Sequence, residues 1–173
     1  MKTKSPARSR RQPAADSIIE LTPALLNIGH ILVPSDFSDP SRKVLKYAAR
    51  FAELFGAKIT QLYVNESVMY PDFAYYPLAM ENEQVAKIAQ TRLAALGAKE
   101  IGEEHIEKIH VRTGNPFHEI TEAARTLKMD LIIISTHGYT GLKHALLGST
   151  AERGVRHAPC PVLTVRDKEH EFV

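Results

Sequence analysis

The stretch MDLIIISTHGYTGLKHALLGST, residues 129–150, gives the clearest indication of the fold of this 173-residue chain. Residues 129–135 have the nearly continuous apolar character of a central parallel strand that is buried on both faces. The glycines that follow, at positions 138, 141 and 148, let the backbone bend and approach a ligand. A helix that opens near Ser149 turns its amides and the positive end of its dipole toward that bend. This order of strand, glycine segment and helix predicts an α/β domain with an anion site, for which phosphate is the natural ligand.

The rest of the chain repeats the order of strand and helix. Short runs rich in β-branched residues alternate with amphipathic helical patterns, which is typical of a parallel sheet built from βα units. Ligands of such sheets bind at the carboxyl ends of the strands, where the strand order reverses. We therefore expect Asp36, which follows the first strand, to lie near the glycine segment. The expected strands are residues 30–34, 58–64, 105–112, 129–135 and 162–166.

Residues that cap or break helices delimit the segments between the strands. Gly56 ends the first expected helix, and Gly97 ends the second, which spans about residues 82–96. Polar caps open two of the helices: Ser38 or Asp39 the first, and Asn115, followed by Pro116 at the first helical position, the third.

Composition and charge restrict the class of protein. The chain is 44% hydrophobic and 24% charged, as in one ordinary globular domain with a core. Much of the basic excess behind the net charge of +2 lies between residues 2 and 11, so the folded part lacks the basic face of a nucleic-acid-binding domain. The single cysteine, Cys160, excludes an internal disulfide and suits a reducing compartment, so we expect a cytoplasmic protein. No apolar run approaches the ~20 residues needed to cross a membrane.

Three parts follow from this pattern: a flexible basic N-terminal extension over residues 1–28, a folded domain over 29–167, and a tail over 168–173. Residues 1 to about 16 are expected to be disordered, although an organelle transit peptide has a similar composition. Residues 65–79 read as a long loop or lid with several aromatic residues between positions 70 and 76. These aromatics could cover a ligand or a partner surface, or fold back onto the edge of the domain.

Several passages in order along the chain resemble the universal stress protein family: VPSDFS at 33–38, TGNP at 113–116, and the segment from STHG at 135–138 to VR at 165–166. The resemblance covers about residues 29 to 167. It implies a five-stranded parallel sheet in the order 3-2-1-4-5 with helices on both faces, a Rossmann-like fold of the adenine nucleotide alpha hydrolase-like kind. It also implies a homodimer formed through the fifth strand. Pairing Val162–Val165 with its copy would cover an exposed edge that otherwise favours aggregation.

The ATP-binding members of that family carry the motif Gly-x2-Gly-x9-Gly-(Ser/Thr). The matching positions here are Ser135, Gly138, Gly148 and Ser149. Ser135 replaces the first glycine and adds a side chain where the family brings backbone against the ribose, so we expect weakened but not abolished binding. By the same resemblance, a set of residues is expected to line adenine, ribose and phosphates: Pro34, Asp36, Val64, Ile134, Ser135, Gly138, Gly148, Ser149 and Thr150.

Each of these residues also has a purely structural explanation. Ser149 and Glu152 can form a capping box that initiates the last helix. Asp36 can cap the first helix or accept loop amides. The glycines can serve as turn residues without any ligand. His137 can contact a phosphate, but a lone histidine beside a turn is more often a structural group.

The sequence gives little support for catalysis. It has no Walker lysine, kinase catalytic loop or nucleophile elbow, so we expect no rapid ATP turnover. Its histidines show no metal-ligand spacing, so we expect no dedicated metal site, and Mg²⁺ or Mn²⁺ could accompany ATP on the phosphate oxygens.

These observations leave three functional hypotheses open. The leading one is a dimeric stress-response and signalling module that binds ATP or AMP and presents a surface to an unknown partner. The second is an interaction protein that works without nucleotide, through its dimer surface and the aromatic segment. The third is a slow ATPase.

Overall fold

A computed structural model describes residues 27–66, 78–136 and 148–166, with the backbone alone for 78–82. All four strand pairings in its five-stranded sheet are parallel, and the order is β3-β2-β1-β4-β5. The predicted strand order is thus confirmed. The strands are β1 His30–Pro34, β2 Lys58–Asn65, β3 Ile106–Thr113, β4 Leu131–Ser135 and β5 Val162–Val165.

Helices cover both faces of this sheet, as the family resemblance implied. On one face α1 packs over the centre of the sheet, and the end of α2 contributes Leu96 to the same core. On the other face Ile120 of α3 and Ala151 of α4 belong to a second core. The helices are α1 Asp39–Phe55, α2 Leu78–Glu100, α3 Pro116–Thr126 and α4 Ser149–His157, and a 3₁₀ turn, Glu103–His105, precedes β3.

Strand β1 lies at the centre of the sheet and contributes side chains to both cores. Ile31 and Val33 point into the first core, whereas Leu32, between them, points into the second. All three side chains are fully buried, as the period of two along a strand requires when both faces are covered. The central strands therefore form a rigid support for the loops at their carboxyl ends.

The helix caps agree with three of the sequence predictions. The Ser38 side chain accepts a hydrogen bond from the Ser41 amide and caps α1. Gly56 ends the same helix with φ +65°, a left-handed conformation that favours glycine. The Asn115 side chain accepts from the His118 amide and caps α3.

The predicted bounds of α2 are wrong at both ends. The helix begins at Leu78 rather than near 82, and it runs through Gly97 to Glu100. A Cβ at position 97 would lie 2.0 Å from Nε2 of Gln61 and 2.5 Å from Cδ1 of Ile106. Gly97 therefore allows the helix to approach the sheet rather than ending it. Other strand bounds differ by one or two residues, and β3 starts at 106 because residue 105 belongs to the 3₁₀ turn.

Candidate functional site

The carboxyl ends of β1 and β4 lie side by side, because Ile31 pairs with Leu131 and Leu32 with Ile132. Strand β1 pairs with β2 on one side and with β4 on the other. The strand order therefore reverses between β1 and β4. This brings several predicted site residues to one edge of the sheet. Pro34 and Ile134 are buried there, and Val64, Asp36 and Ser135 are half-buried.

Asp36 lies in the loop between β1 and α1. Its Oδ1 accepts hydrogen bonds from the Ser38 amide at 3.0 Å and from the Ser38 hydroxyl at 2.5 Å. The carboxylate therefore accepts a loop amide, one of the two structural roles considered for it, while Ser38 and not Asp36 caps the helix. The pair also fixes the direction of the Asp36 side chain at the sheet edge.

Backbone hydrogen bonds hold the two described residues that flank the glycine segment, Thr136 and Gly148. The Gly148 amide donates to the Thr136 carbonyl oxygen at 2.7 Å, and the Thr136 amide donates to the Val165 carbonyl oxygen on β5 at 3.0 Å. A Cβ at position 148 would lie 2.9 Å from that same Thr136 oxygen, so the close approach requires glycine. We call Thr136 and Gly148 the loop base. Gly138 and His137 lie outside the described residues.

The start of α4 differs from the prediction. Gly148 is its N-cap, with φ −65° and ψ 151°, and as a glycine it makes no side-chain capping hydrogen bond. The predicted capping box of Ser149 and Glu152 is therefore wrong, because Ser149 lies one position inside the helix and the Glu152 carboxylate pairs with Arg156 at 3.1 Å. Helix capping does not explain Ser149, which is exposed at this terminus beside Thr150.

Two contributions to the site escaped sequence analysis. Thr136, which is 2% exposed, holds the loop base through its backbone, and no sequence signal marks that role. Phe37 has φ +65° and its ring lies 4.9 Å, centroid to centroid, from that of Tyr63 on β2. The Arg92 guanidinium carbon lies 4.1 Å from the Phe37 ring centroid. We call these three side chains the Phe37 stack. They come from three separate elements, so only the fold brings them together.

Two titratable side chains among the described residues, Cys160 and His110, have shifted pKa values. Burial, and then the negative charge of Asp130, raises the pKa of the Cys160 thiol, so the cysteine is not activated. Burial lowers the pKa of His110, and the nearby charges of Arg112 and Lys108 lower it further. Over the described ranges, no three His, Cys, Asp or Glu side chains cluster as a metal site would need. The absence of a dedicated metal site stays a prediction.

In the part of the chain that the structure describes, no helix is both long and apolar enough to cross a bilayer.

Comparison with known proteins identifies relatives that match most of the chain. The model of the universal stress protein family matches residues 27–166. Universal stress protein MJ0531 of Methanocaldococcus jannaschii is 37% identical over 145 residues, which cover 82% of this chain and 84% of that protein.

Two solved structures extend the comparison to the fold. The hypothetical protein MJ0577, from the same archaeon, has a TM-score of 0.72 and 27% identity, with 84% of this chain and all of that chain covered. A universal stress protein solved in complex with cAMP has a TM-score of 0.53 and 25% identity, with 81% of this chain and 98% of that chain covered.

Proposed function

This chain belongs to the universal stress protein family, and from that premise we propose that it binds an adenine nucleotide, ATP or AMP, at the carboxyl ends of β1 and β4. The observation that carries the proposal is that an oriented carboxylate, Asp36, and a helix start with a glycine N-cap, Gly148–Thr150, lie at one edge of the sheet. The solved relative in complex with cAMP supports an adenine nucleotide as the ligand class.

Each part of the edge suits one part of such a ligand. Asp36 accepts hydrogen bonds from ribose hydroxyls, and the α4 amides near Ser149 and Thr150 donate to phosphates. Pro34 and Val64 border the adenine, with the buried Ile134 beneath. By family resemblance Gly138, outside the described residues, completes the phosphate contacts.

Ser135 tunes the strength of this binding. It is the last residue of β4 and is half-buried, at the point where family members with the glycine motif bring backbone to the ribose. A hydroxymethyl group there narrows the approach but adds a polar contact. We therefore propose weaker binding than in members with glycine, rather than none.

The proposed role is that of a nucleotide-sensing module with little or no turnover. Phosphoryl transfer needs a positioned metal, a group that orients the nucleophile and cationic charge on the transferred phosphoryl. The sequence has none of the motifs that supply these together. A Mg²⁺ or Mn²⁺ ion that accompanies ATP would be held chiefly by phosphate oxygens.

We further propose that the module acts in the cytoplasm as a homodimer through β5. In the sheet that the structure describes, β5 is the terminal strand next to β4, and Val162, Leu163 and Thr164 are only half-buried. Isologous pairing with a second copy would bury this edge.

Calorimetric titration with ATP and with AMP tests the nucleotide proposal. We expect saturable binding that Gly148→Arg abolishes, because the added side chain crowds the helix start where the phosphates would bind. Asp36→Ala should reduce the affinity at least tenfold, because it removes the carboxylate that accepts from the ribose. Asp39→Ala is the matched control, since that carboxylate lies in the same region but is 94% exposed. Circular dichroism confirms that each variant is folded. No binding by the wild-type protein at high micromolar ATP would favour the nucleotide-independent hypothesis instead.

A further inference from the structure

Phe37 has a backbone conformation that the local sequence does not explain. Its φ of +65° is left-handed, which is costly for a bulky residue and tends to persist only where surrounding contacts enforce it. Among the described residues, Lys128 is the one other non-glycine residue with positive φ, at +54°. Lys128 directly follows the C-cap of α3, where a left-handed residue is ordinary. Phe37 lies between a strand and a helix start, where no such cap demands it.

Contacts from two other elements hold the Phe37 ring. Tyr63, near the end of β2, packs on it at 4.9 Å between centroids with the rings tilted by 35°. Arg92 of α2 places its guanidinium carbon 4.1 Å from the ring centroid, within the range of a cation–π contact. The Phe37 side chain is therefore held between β2 and α2, while its backbone belongs to the β1–α1 loop.

The Phe37 backbone connects Asp36 to Ser38, the residue whose hydrogen bonds orient the Asp36 carboxylate. Asp36 precedes Phe37, and Ser38, which follows it, donates its amide and its hydroxyl to Asp36 Oδ1. The Phe37 amide in turn donates to the Ser35 hydroxyl at 3.2 Å. Rotation of the Phe37 backbone out of the left-handed region would move the Ser38 donors away from Asp36.

We propose that Phe37, clamped by Tyr63 and Arg92, is a positioning residue that aims Asp36 at the ribose hydroxyls and so makes the site selective for nucleotides that carry them. This inference rests on the proposed nucleotide binding. The ligand class is thereby narrowed to nucleotides with ribose hydroxyls available to the carboxylate. The stack acts through Asp36 and does not itself touch the ligand.

Titrations with ATP and with 2′,3′-dideoxyATP test the selectivity. Phe37→Leu removes the aromatic ring, and we expect it to weaken ATP binding about tenfold while dideoxyATP binding changes less than twofold. Arg92→Met removes the cation from an exposed position, with an expected loss of about threefold for ATP alone, and Arg92→Lys restores most of it. Arg50→Met is the matched control, since Arg50 is an exposed arginine of α1 that pairs with Glu53 at 2.8 Å.

A double-mutant cycle separates positioning from general loosening. In the Asp36→Ala background, Phe37→Leu should have no further effect on ATP affinity, because the group that it positions is gone. Equal weakening of both nucleotides by Phe37→Leu, or additive losses in the cycle, would overturn the proposal. So would unchanged ATP affinity in both Phe37→Leu and Arg92→Met.

A measurement without ligand tests the positioning role of Phe37 even if the wild-type protein binds neither nucleotide. Hydrogen exchange of the Ser38 amide, followed by NMR without ligand, reports on its bond to Asp36. We expect exchange about tenfold faster in Phe37→Leu and unchanged in Arg50→Met. That result would support the positioning role while the nucleotide proposal fails. Equal exchange in the wild type and Phe37→Leu would overturn it.

Discussion

The β1–α1 loop and the loop base flank the same edge of the sheet, but different kinds of contact hold them. Side-chain contacts hold the β1–α1 loop: the Asp36 carboxylate accepts a hydrogen bond from Ser38, and the Phe37 ring packs between β2 and α2. Backbone hydrogen bonds hold the loop base, since Thr136 bonds to Gly148 and to Val165 through main-chain groups. Exchanging side chains should therefore change ligand affinity gradually in the β1–α1 loop. At the loop base, position 148 accepts only glycine without a steric clash. Single substitutions in each region test this difference.

Gly148→Ala tests the steric demand at the loop base. The added Cβ would lie 2.9 Å from the Thr136 carbonyl oxygen, which is backbone and cannot rotate away. We expect a loss of about 1–2 kcal/mol in the free energy of unfolding and a loss of ATP affinity of more than tenfold.

Gly154→Ala is the control in the same helix. Nothing lies within 4 Å of a Cβ at that position, so we expect a gain of about 0.5–1 kcal/mol from helix propensity and unchanged affinity. Chemical denaturation and calorimetry measure both quantities. Equal effects of the two substitutions would contradict the steric account.

Ser38→Ala tests the side-chain half. It removes the α1 cap and a hydrogen bond to Asp36, so we expect a loss of about 1 kcal/mol in stability and about fivefold in ATP affinity. Asn115→Ala removes the cap of α3, where no proposed site residue depends on it. It should cost similar stability and leave the affinity unchanged. If both variants bound ATP equally well, Ser38 would be a cap and nothing more.

Ser135→Gly restores the glycine of the family motif at the end of β4. We expect ATP to bind about threefold more tightly, because the ribose can approach the backbone more closely. Isothermal titration at constant salt measures the change. A weaker affinity would instead show that the Ser135 hydroxyl contributes a favourable contact.

Ser149→Ala carries the smallest expected change in stability. Because Gly148 is the N-cap and Ser149 makes no capping bond, the free energy of unfolding should change by less than about 0.5 kcal/mol. Thermal and urea denaturation provide the measurement. A loss of about 1 kcal/mol or more would reinstate the capping role that the sequence suggested.

Much of the fold was predictable because its signals are local. The short apolar run of β1, the Ser38 and Asn115 caps and the left-handed Gly56 each depend on a few neighbouring residues. The strand order came from resemblance to a family, and the structure confirms it.

The failures have a common physical cause. Gly97 looked like a helix stop because its partners, Gln61 and Ile106, are distant in sequence and close in space. The capping box at Ser149 failed by one residue, since the pattern of residue types does not say which backbone unit leaves the helix first. For the same reason, the Phe37 stack could not be inferred before three elements were placed together. The grouping of site residues at one sheet edge was predictable, but their contacts were not.

The close fit between α2 and β2 has an evolutionary consequence. Gln61 is fully buried, and among the described residues its amide has no hydrogen-bond partner. A methyl group at position 97 would occupy the same space as that amide. A natural exchange of Gly97 for alanine is therefore expected only together with a shorter residue at position 61. Across descendants of this sequence, the two positions should covary as a pair, 36 residues apart in the chain.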